Sequence, residues 1–187
     1  MLKRFFDLAI VSICVIIWII PCLLIVIAIK IDSKGAVLFW SKRVGRFERP
    51  FMMPKFRSMK IDAPLVATDQ LSSPDLFITR VGRFLRLTSL DELPQLWSIA
   101  VGDMSFVGPR PALFSQLDLI TARKSLGIDV LLPGLTGWAQ VNGRDEIPLD
   151  RKIQFDYEYL KNVSLLFDLK IILLTIKKVI LKEGVTH

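Results

Sequence analysis

From Leu8 to Ile29 the chain reads LAIVSICVIIWIIPCLLIVIAI without a single charge, and an α-helix needs roughly 20 such residues to cross about 30 Å of hydrocarbon. Residues 1–31 are therefore predicted to form a membrane-inserted helix. A secretory signal would have a shorter apolar core of about 7–15 residues and a small-residue cleavage site, so this segment is expected to be retained. Beyond it the pattern changes. Residues 35–60 read as strand-rich, 62–79 as a polar loop, 80–130 as helices and turns, and 132–144 as a Gly-rich turn region. Two helices are predicted to follow, at about 149–162 and 165–182. The second carries Asp168, Lys170, Lys177, Lys178 and Lys182 among leucines and isoleucines. It can pack on a core, or lie on a membrane surface with its lysines reaching head groups.

Basic residues flank the apolar run on both sides: Lys3 and Arg4 before it, Lys30, Lys34, Lys42, Arg43, Arg46 and Arg49 after it. The positive-inside rule draws both flanks to the cytoplasm, which a straight span cannot satisfy. Pro21 removes one helical hydrogen bond and biases Ile20 away from α geometry, so a helix that bends there and leaves by the face it entered resolves the conflict. Membrane helices also tolerate proline, and the residues alone leave both topologies open.

With 187 residues, one domain beside the helix is expected, over 32–187. Composition then narrows the chemistry. Cys14 and Cys22 both fall inside the apolar run and read as small apolar side chains, with no disulfide framework implied. The single histidine is His187, which argues against a histidine base, a Ser-His-Asp triad or a histidine metal site. Carboxylates, lysines and arginines remain. The net charge of +7 suits phosphate-bearing substrates, anionic lipid or nucleic acid equally.

In TSLDELPQLWS, residues 88–98, Asp91 and Glu92 stand side by side. Ser89 to Glu92 fits a capping box, in which Ser89 caps a helix and Glu92 reaches back. Pro94 disturbs that reading, since it would fall at the fifth helical position and lack the N–H owed to Leu90. If the pair carries chemistry, adjacent carboxylates cannot easily flank a glycosidic bond. They can share a metal or a phosphate: one attacks phosphorus while a hard cation such as Mg²⁺ neutralises the phosphate oxygens.

Three further stretches suit anions. In FMMPKFRSM, 51–59, period-two alternation puts Lys55 and Arg57 on one face of a strand. In VGPRP, 107–111, Arg110 is held between two prolines and partly pre-organised. In LPGLTGWAQVNGR, 132–144, three glycines let backbone approach a ligand while Gln140, Asn142 and Arg144 offer polar groups; a hairpin turn at Asn142-Gly143 is the plainer alternative. Arg80, Arg83 and Arg86 recur at helical spacing and face phosphate, lipid or water. Every one of these readings has a structural rival in a salt bridge, a rigid turn or a solvated face.

Together KFRSM (55–59), LRLTSLDELPQLW (85–97), GDMSFVGPRP (102–111) and PGLTGWAQVNGR (133–144) resemble the small monotopic phosphoglycosyl transferases, or bacterial sugar transferases. The resemblance covers nearly the whole chain. It implies an α+β, mostly helical fold: a re-entrant N-terminal membrane helix, then a small cytoplasmic catalytic domain with a short β-element and interfacial amphipathic helices. It implies transfer of a phospho-sugar from a UDP-sugar to undecaprenyl phosphate with release of UMP, at the bacterial inner membrane on its cytoplasmic face, and gives nucleic acid no part. By motif position Asp91 is expected to be the nucleophile that takes the phospho-sugar covalently, with Glu92 as its partner in holding Mg²⁺. Lys55, Arg57, Arg86, Arg110, Gln140 and Arg144 are expected substrate contacts. An N-acetylated amino-deoxy sugar is expected, with the loop 62–75 as the place for specificity.

This chain departs from the family pattern at Ser41, where Gln is frequent, at Ser98, where Asn is common, at Pro54, where a larger residue is usual, and at Ile20, where relatives can carry Ser. None of these removes an expected catalytic residue. A different class of protein stays in view: a membrane-anchored module binding anionic lipid or nucleic acid, for which Asp91 would be dispensable.

Overall fold

The computed structural model describes residues 2–63, 74–143 and 147–181. Helix α1 runs from Leu2 to Asp32 without interruption past Pro21, a length of about 46 Å at 1.5 Å per residue. Its buried positions Asp7, Val11, Ile25 and Ile29 are joined by half-buried Cys14, Trp18 and Cys22 at spacings of three or four. That is one continuous stripe at the helical period, in phase on both sides of Pro21. The proline therefore does not break the helix. Its missing hydrogen bond is tolerated while one flank rests on the rest of the chain, and the opposite flank leaves Ile13, Ile16, Ile17, Ile20, Leu23 and Leu24 exposed.

Both ends of α1 are fastened. At the start, Lys3 pairs with Asp168 at 2.6 Å and the Arg4 guanidinium donates to the carbonyls of Ile99 and Ala100. Asp7, fully buried, accepts from the Ser105 hydroxyl at 2.8 Å and the Phe106 N–H at 3.1 Å. At the far end, Ile25 and Ile29 pack with Phe56 and Leu85, and Asp32 accepts the Val81 N–H at 3.0 Å.

Two short β pairs follow. Strands β1 (Leu38–Val44) and β2 (Pro50–Phe56) form an antiparallel hairpin, with Leu38 opposite Phe56 and Val44 opposite Pro50. Its tip holds Phe47 and Glu48 at positive φ, 54° and 59°, a conformation that costs non-glycine residues of order 1–3 kcal/mol and needs outside support. Arg46 supplies some of it by donating to the Val130 carbonyl at 2.7 Å, and Glu48 pairs with Lys124. Strands β3 (Ser105–Val107) and β4 (Gly134–Thr136) pair in parallel. Parallel pairing requires a long crossover, and residues 108–133 provide it, with α4 (Leu117–Ser125) inside. The stretch 132–144, through its glycines, predicts turns. In the structure it contains β4 and the single helical turn α5 (Trp138–Val141), and Asn142 caps that turn instead of opening a hairpin.

Helices α2 (Arg80–Leu87) and α3 (Gln95–Val101) lie between the β pairs in sequence. Helices α6 (Leu149–Lys161) and α7 (Leu165–Leu181) come last, within a residue of their expected bounds. Phe51, Met53, Ile99, Met104, Tyr159 and Ile171 meet in the main core, which Val11 of α1 joins. Helix α7 packs inward through Ile171 while Leu166, Leu173 and Ile176 stay at least half exposed. One face of α7 thus packs on the core, and further apolar side chains face outward.

Candidate active site

Asp91 and Glu92 occupy a 3₁₀ turn, Leu90–Glu92, wedged between α2 and α3. Pro94 dictates this. Lacking an N–H for the Leu90 carbonyl, it leaves that carbonyl to the Leu93 N–H at 3.3 Å, and the regular helix restarts only at Gln95. The capping box does not form: Ser89 lies in the left-handed region at φ 56° and its side chain makes no capping bond. A left-handed non-glycine residue two positions before the acids is the kind of local strain that functional turns carry.

Asp91 is only 8 % exposed. Lys55, from the end of β2, reaches Glu92 Oε1 at 2.7 Å and Asp91 Oδ2 at 3.7 Å. Arg110 lies 3.5 Å from the same Glu92 oxygen. Arg86, on α2, donates to the Ser58 hydroxyl at 2.9 Å and is close enough to Asp91 to interact with it electrostatically. Burial pushes the Asp91 carboxyl above its ordinary range, helped by Glu92, and Lys55, Arg86 and Arg110 oppose the shift. Burial likewise draws Arg86 below the usual guanidinium value, and Asp91 restrains it. The result is a secluded carboxylate pair at the meeting point of three cations, a setting suited to receiving a further anion and moving charge within it.

Close backbone packing brings these parts together. At Gly82 an added Cβ would lie 2.0 Å from the Ser58 carbonyl oxygen, so glycine lets α2 sit on the chain just beyond β2 and carry Arg86 to the dyad. Arg110 rides on a segment whose successive carbonyls are all held. Pro109 accepts from the Gly134 N–H at 2.9 Å, Arg110 from the Arg123 guanidinium at 2.9 Å, Pro111 from Arg43 at 3.3 Å and Ala112 from the Val44 N–H at 3.0 Å. Prolines offer no N–H, so the carbonyls are the available handles. The rigid arm expected of VGPRP is present.

Of the expected contacts, Lys55, Arg86 and Arg110 converge on the dyad. Arg57 does not join them. Strand β2 ends at Phe56, and the buried Arg57 guanidinium donates to the Lys34 carbonyl and, at 2.9 Å each, to the carbonyl and hydroxyl of Ser33. It ties down the end of α1, because strand alternation stops applying where the strand stops. Gln140 donates to the Leu135 carbonyl at 3.1 Å, and its Oε1 and the Gly108 carbonyl oxygen both crowd the space where a Cβ on Gly137 would lie. Arg144 and most of the loop 62–75 lie outside the described residues. Ser58, Arg123 and Asp156 were not singled out in the sequence, where each looks like an ordinary polar helix or loop residue.

For a divalent cation the donor set is two neighbouring carboxylates. Among the described residues no group of three or more acids, histidines or cysteines gathers. That set fits Mg²⁺, which keeps several waters and is held by one or two carboxylates together with substrate phosphates. It does not resemble a closed all-protein cage.

The chain matches the bacterial sugar transferase family over residues 1–182. It is 41 % identical over 186 residues to an uncharacterized sugar transferase, EpsL, of Bacillus subtilis, covering 98 % of this chain and 90 % of that one. It is 40 % identical to the UDP-glucose:undecaprenyl-phosphate glucose-1-phosphate transferase of Escherichia coli, covering 95 % of this chain and 40 % of that protein. It is 38 % identical to the undecaprenyl-phosphate galactose phosphotransferase of Salmonella typhimurium, over 98 % of this chain and 41 % of the relative. The chain thus spans most of EpsL and about two-fifths of the two longer relatives. On this match, over nearly its whole length, the chain belongs to the bacterial sugar transferase family.

Proposed function

We propose that this protein is a phosphoglycosyl transferase that moves a phospho-sugar from a UDP-sugar to undecaprenyl phosphate and releases UMP. The observation that carries the reading is the buried Asp91 beside the half-buried Glu92, under Lys55, Arg86 and Arg110. Longer relatives named for UDP-glucose and undecaprenyl phosphate add to it.

In the first step an Asp91 carboxylate oxygen attacks the sugar-bearing phosphorus. The bond from that phosphorus to the bridging oxygen breaks, and the electron pair leaves with UMP. In the second, an oxygen of the lipid phosphate attacks the same phosphorus and expels the Asp91 carboxylate, regenerating the protein. Lys55 and Arg110 offset the negative charge gathered around Glu92, and Arg86 does so on the α2 side. Asp91 and Glu92 would hold Mg²⁺, which when bound neutralises phosphate oxygens. Gln140 and Arg144 remain expected nucleotide or phosphate contacts.

The membrane side of the reading follows from α1. The helix lacks the bend at Pro21 that the re-entrant reading relied on, so that topology rests here on both ends of α1 being fastened to one domain with an apolar flank turned outward, which favours Lys3, Arg4 and Lys30 on one side of a bilayer, here the cytoplasmic face of the inner membrane. The outward apolar side chains of α7 extend the contact. The sugar is proposed to be an N-acetylated amino-deoxy sugar. UDP-glucose and UDP-galactose belong in the same panel, given the relatives' names.

The test is direct. Incubating the purified protein with each UDP-sugar in the absence of lipid phosphate should leave a phospho-sugar adduct on Asp91, detected by mass spectrometry. Asp91→Asn should show no adduct and no UMP release. Kinetics that demand both substrates before UMP departs would overturn the two-step scheme.

A further inference from the structure

Arg123 and Asp156 form a buried ion pair outside the group of charges around the dyad. Arg123, on α4, is 8 % exposed and Asp156, on α6, is 1 % exposed. Arg123 presents Nε and Nη2 to a single Asp156 oxygen at 2.9 and 2.6 Å. Its remaining nitrogen, Nη1, donates to the backbone carbonyl of Arg110 at 2.9 Å. Buried ion pairs are poor sources of net stability, since desolvation offsets much of their attraction and well-packed apolar residues do as well. Here the geometry gives the pair another use. One edge of the guanidinium is locked by the acid, which aims the other at the main chain of the residue whose side chain meets Glu92 at 3.5 Å.

We infer that Arg123, oriented by Asp156, is a positioning residue that sets where the Arg110 guanidinium stands over the dyad and so acts on the substrate diphosphate only through Arg110. The inference rests on the phosphate-binding reading of Arg110 given above. Three requirements follow from the atoms. The anchor needs a planar fork with donors on two edges, which lysine lacks. It needs an acid on α6 that stays charged; burial raises the Asp156 carboxyl and Arg123 opposes that shift. It needs a fixed acceptor, which the flanking prolines supply by restricting the Arg110 backbone. Through this chain α6, remote in sequence, is mechanically connected to the site.

A double-mutant cycle on UMP release tests it. R123K retains a charge for Asp156 but loses the fork, and is expected to lower kcat/KM about tenfold in the otherwise natural protein. In an R110Q background the same change should cost less than about twofold, because the side chain it positions is gone. An equal loss in both backgrounds would overturn the inference and make the pair a general structural element. R110Q alone leaving turnover intact would instead sink the reading of Arg110 on which the inference rests, so the two failures are told apart. Thermal unfolding is followed throughout. If R123K does not fold, D156N, which keeps the volume and removes the charge, is put through the same cycle. Failure of both to fold would also count against a positioning role.

Discussion

Replacing Gly137 with alanine measures how closely the Arg110 arm must be seated. Gly137 has φ −171° and ψ 171°, an extended conformation open to any residue, so alanine brings no backbone strain. The effect is purely one of space. A Cβ there would lie 2.1 Å from the Gly108 carbonyl oxygen and 2.6 Å from Gln140 Oε1. Relief to an ordinary contact needs a movement of about 1.3 Å between the two backbones, and overpacking of that kind costs about 1–3 kcal/mol. The strands cannot part freely, because the Gly108 N–H is bonded to the Thr136 carbonyl at 2.9 Å. Arg110 lies two residues beyond Gly108, and misplacing a reacting or binding group by about 1 Å costs on the order of 10²-fold in rate. UMP release by G137A is therefore expected to fall about a hundredfold, with a melting temperature lower by about 2–4 °C for each kcal/mol lost. Gly127 supplies the control. It has φ 69° with no atom within 4 Å of an added Cβ, so G127A should lower stability by about 1 kcal/mol through conformation alone and leave the rate unchanged. G137A turning over like the natural protein, or G127A losing activity as heavily, would refute the idea that close backbone packing at Gly108 places Arg110.

Other expectations follow from the charges. Lys55→Met removes the strongest opposing charge on Asp91 and leaves burial and Glu92 raising it, so the acidic limb of the kcat/KM profile should move to higher pH; an unmoved limb would mean Lys55 does not act on Asp91. Because the Asp91 carboxyl is raised in the fold, its contribution to stability is present below about pH 3.8, its ordinary value, and is lost as pH rises through the elevated one. Asp91→Asn should accordingly unfold at a higher temperature than the natural protein at pH 7 while being inactive, with the gap closing in acid. Tyr159→Phe deletes a hydroxyl that donates to Asp168 Oδ1 at 2.6 Å and lies 3.1 Å from the Val107 carbonyl oxygen; thermal or denaturant unfolding should show a loss of about 1–3 kcal/mol. Chelating divalent cations should stop UMP release and added Mg²⁺ should restore it, whereas turnover that persists in excess chelator would remove the metal from the dyad.

The sequence by itself determined the local features, since those depend on neighbouring residues. An uncharged run from Leu8 to Ile29 is long enough to settle the existence of α1, Pro109 and Pro111 stiffen Arg110 wherever it lies, and apolar periodicity bounds α6 and α7 to within a residue. The adjacency of Asp91 and Glu92 is likewise local, and so is the Pro94 that denies them a regular helix. Only the tertiary structure decided which partners each side chain takes. Lys55 and Arg57 are two residues apart, yet one meets the dyad and the other the end of α1, because β2 ends between them. Arg123 looks like a solvated helix charge until α6 brings Asp156 against it. The parallel pairing of β3 with β4 and the fastening of both ends of α1 are equally silent in the pattern. Periodicity records which face of an element is buried, but the identity of what buries it depends on contacts between residues tens of positions apart, and no local pattern contains those.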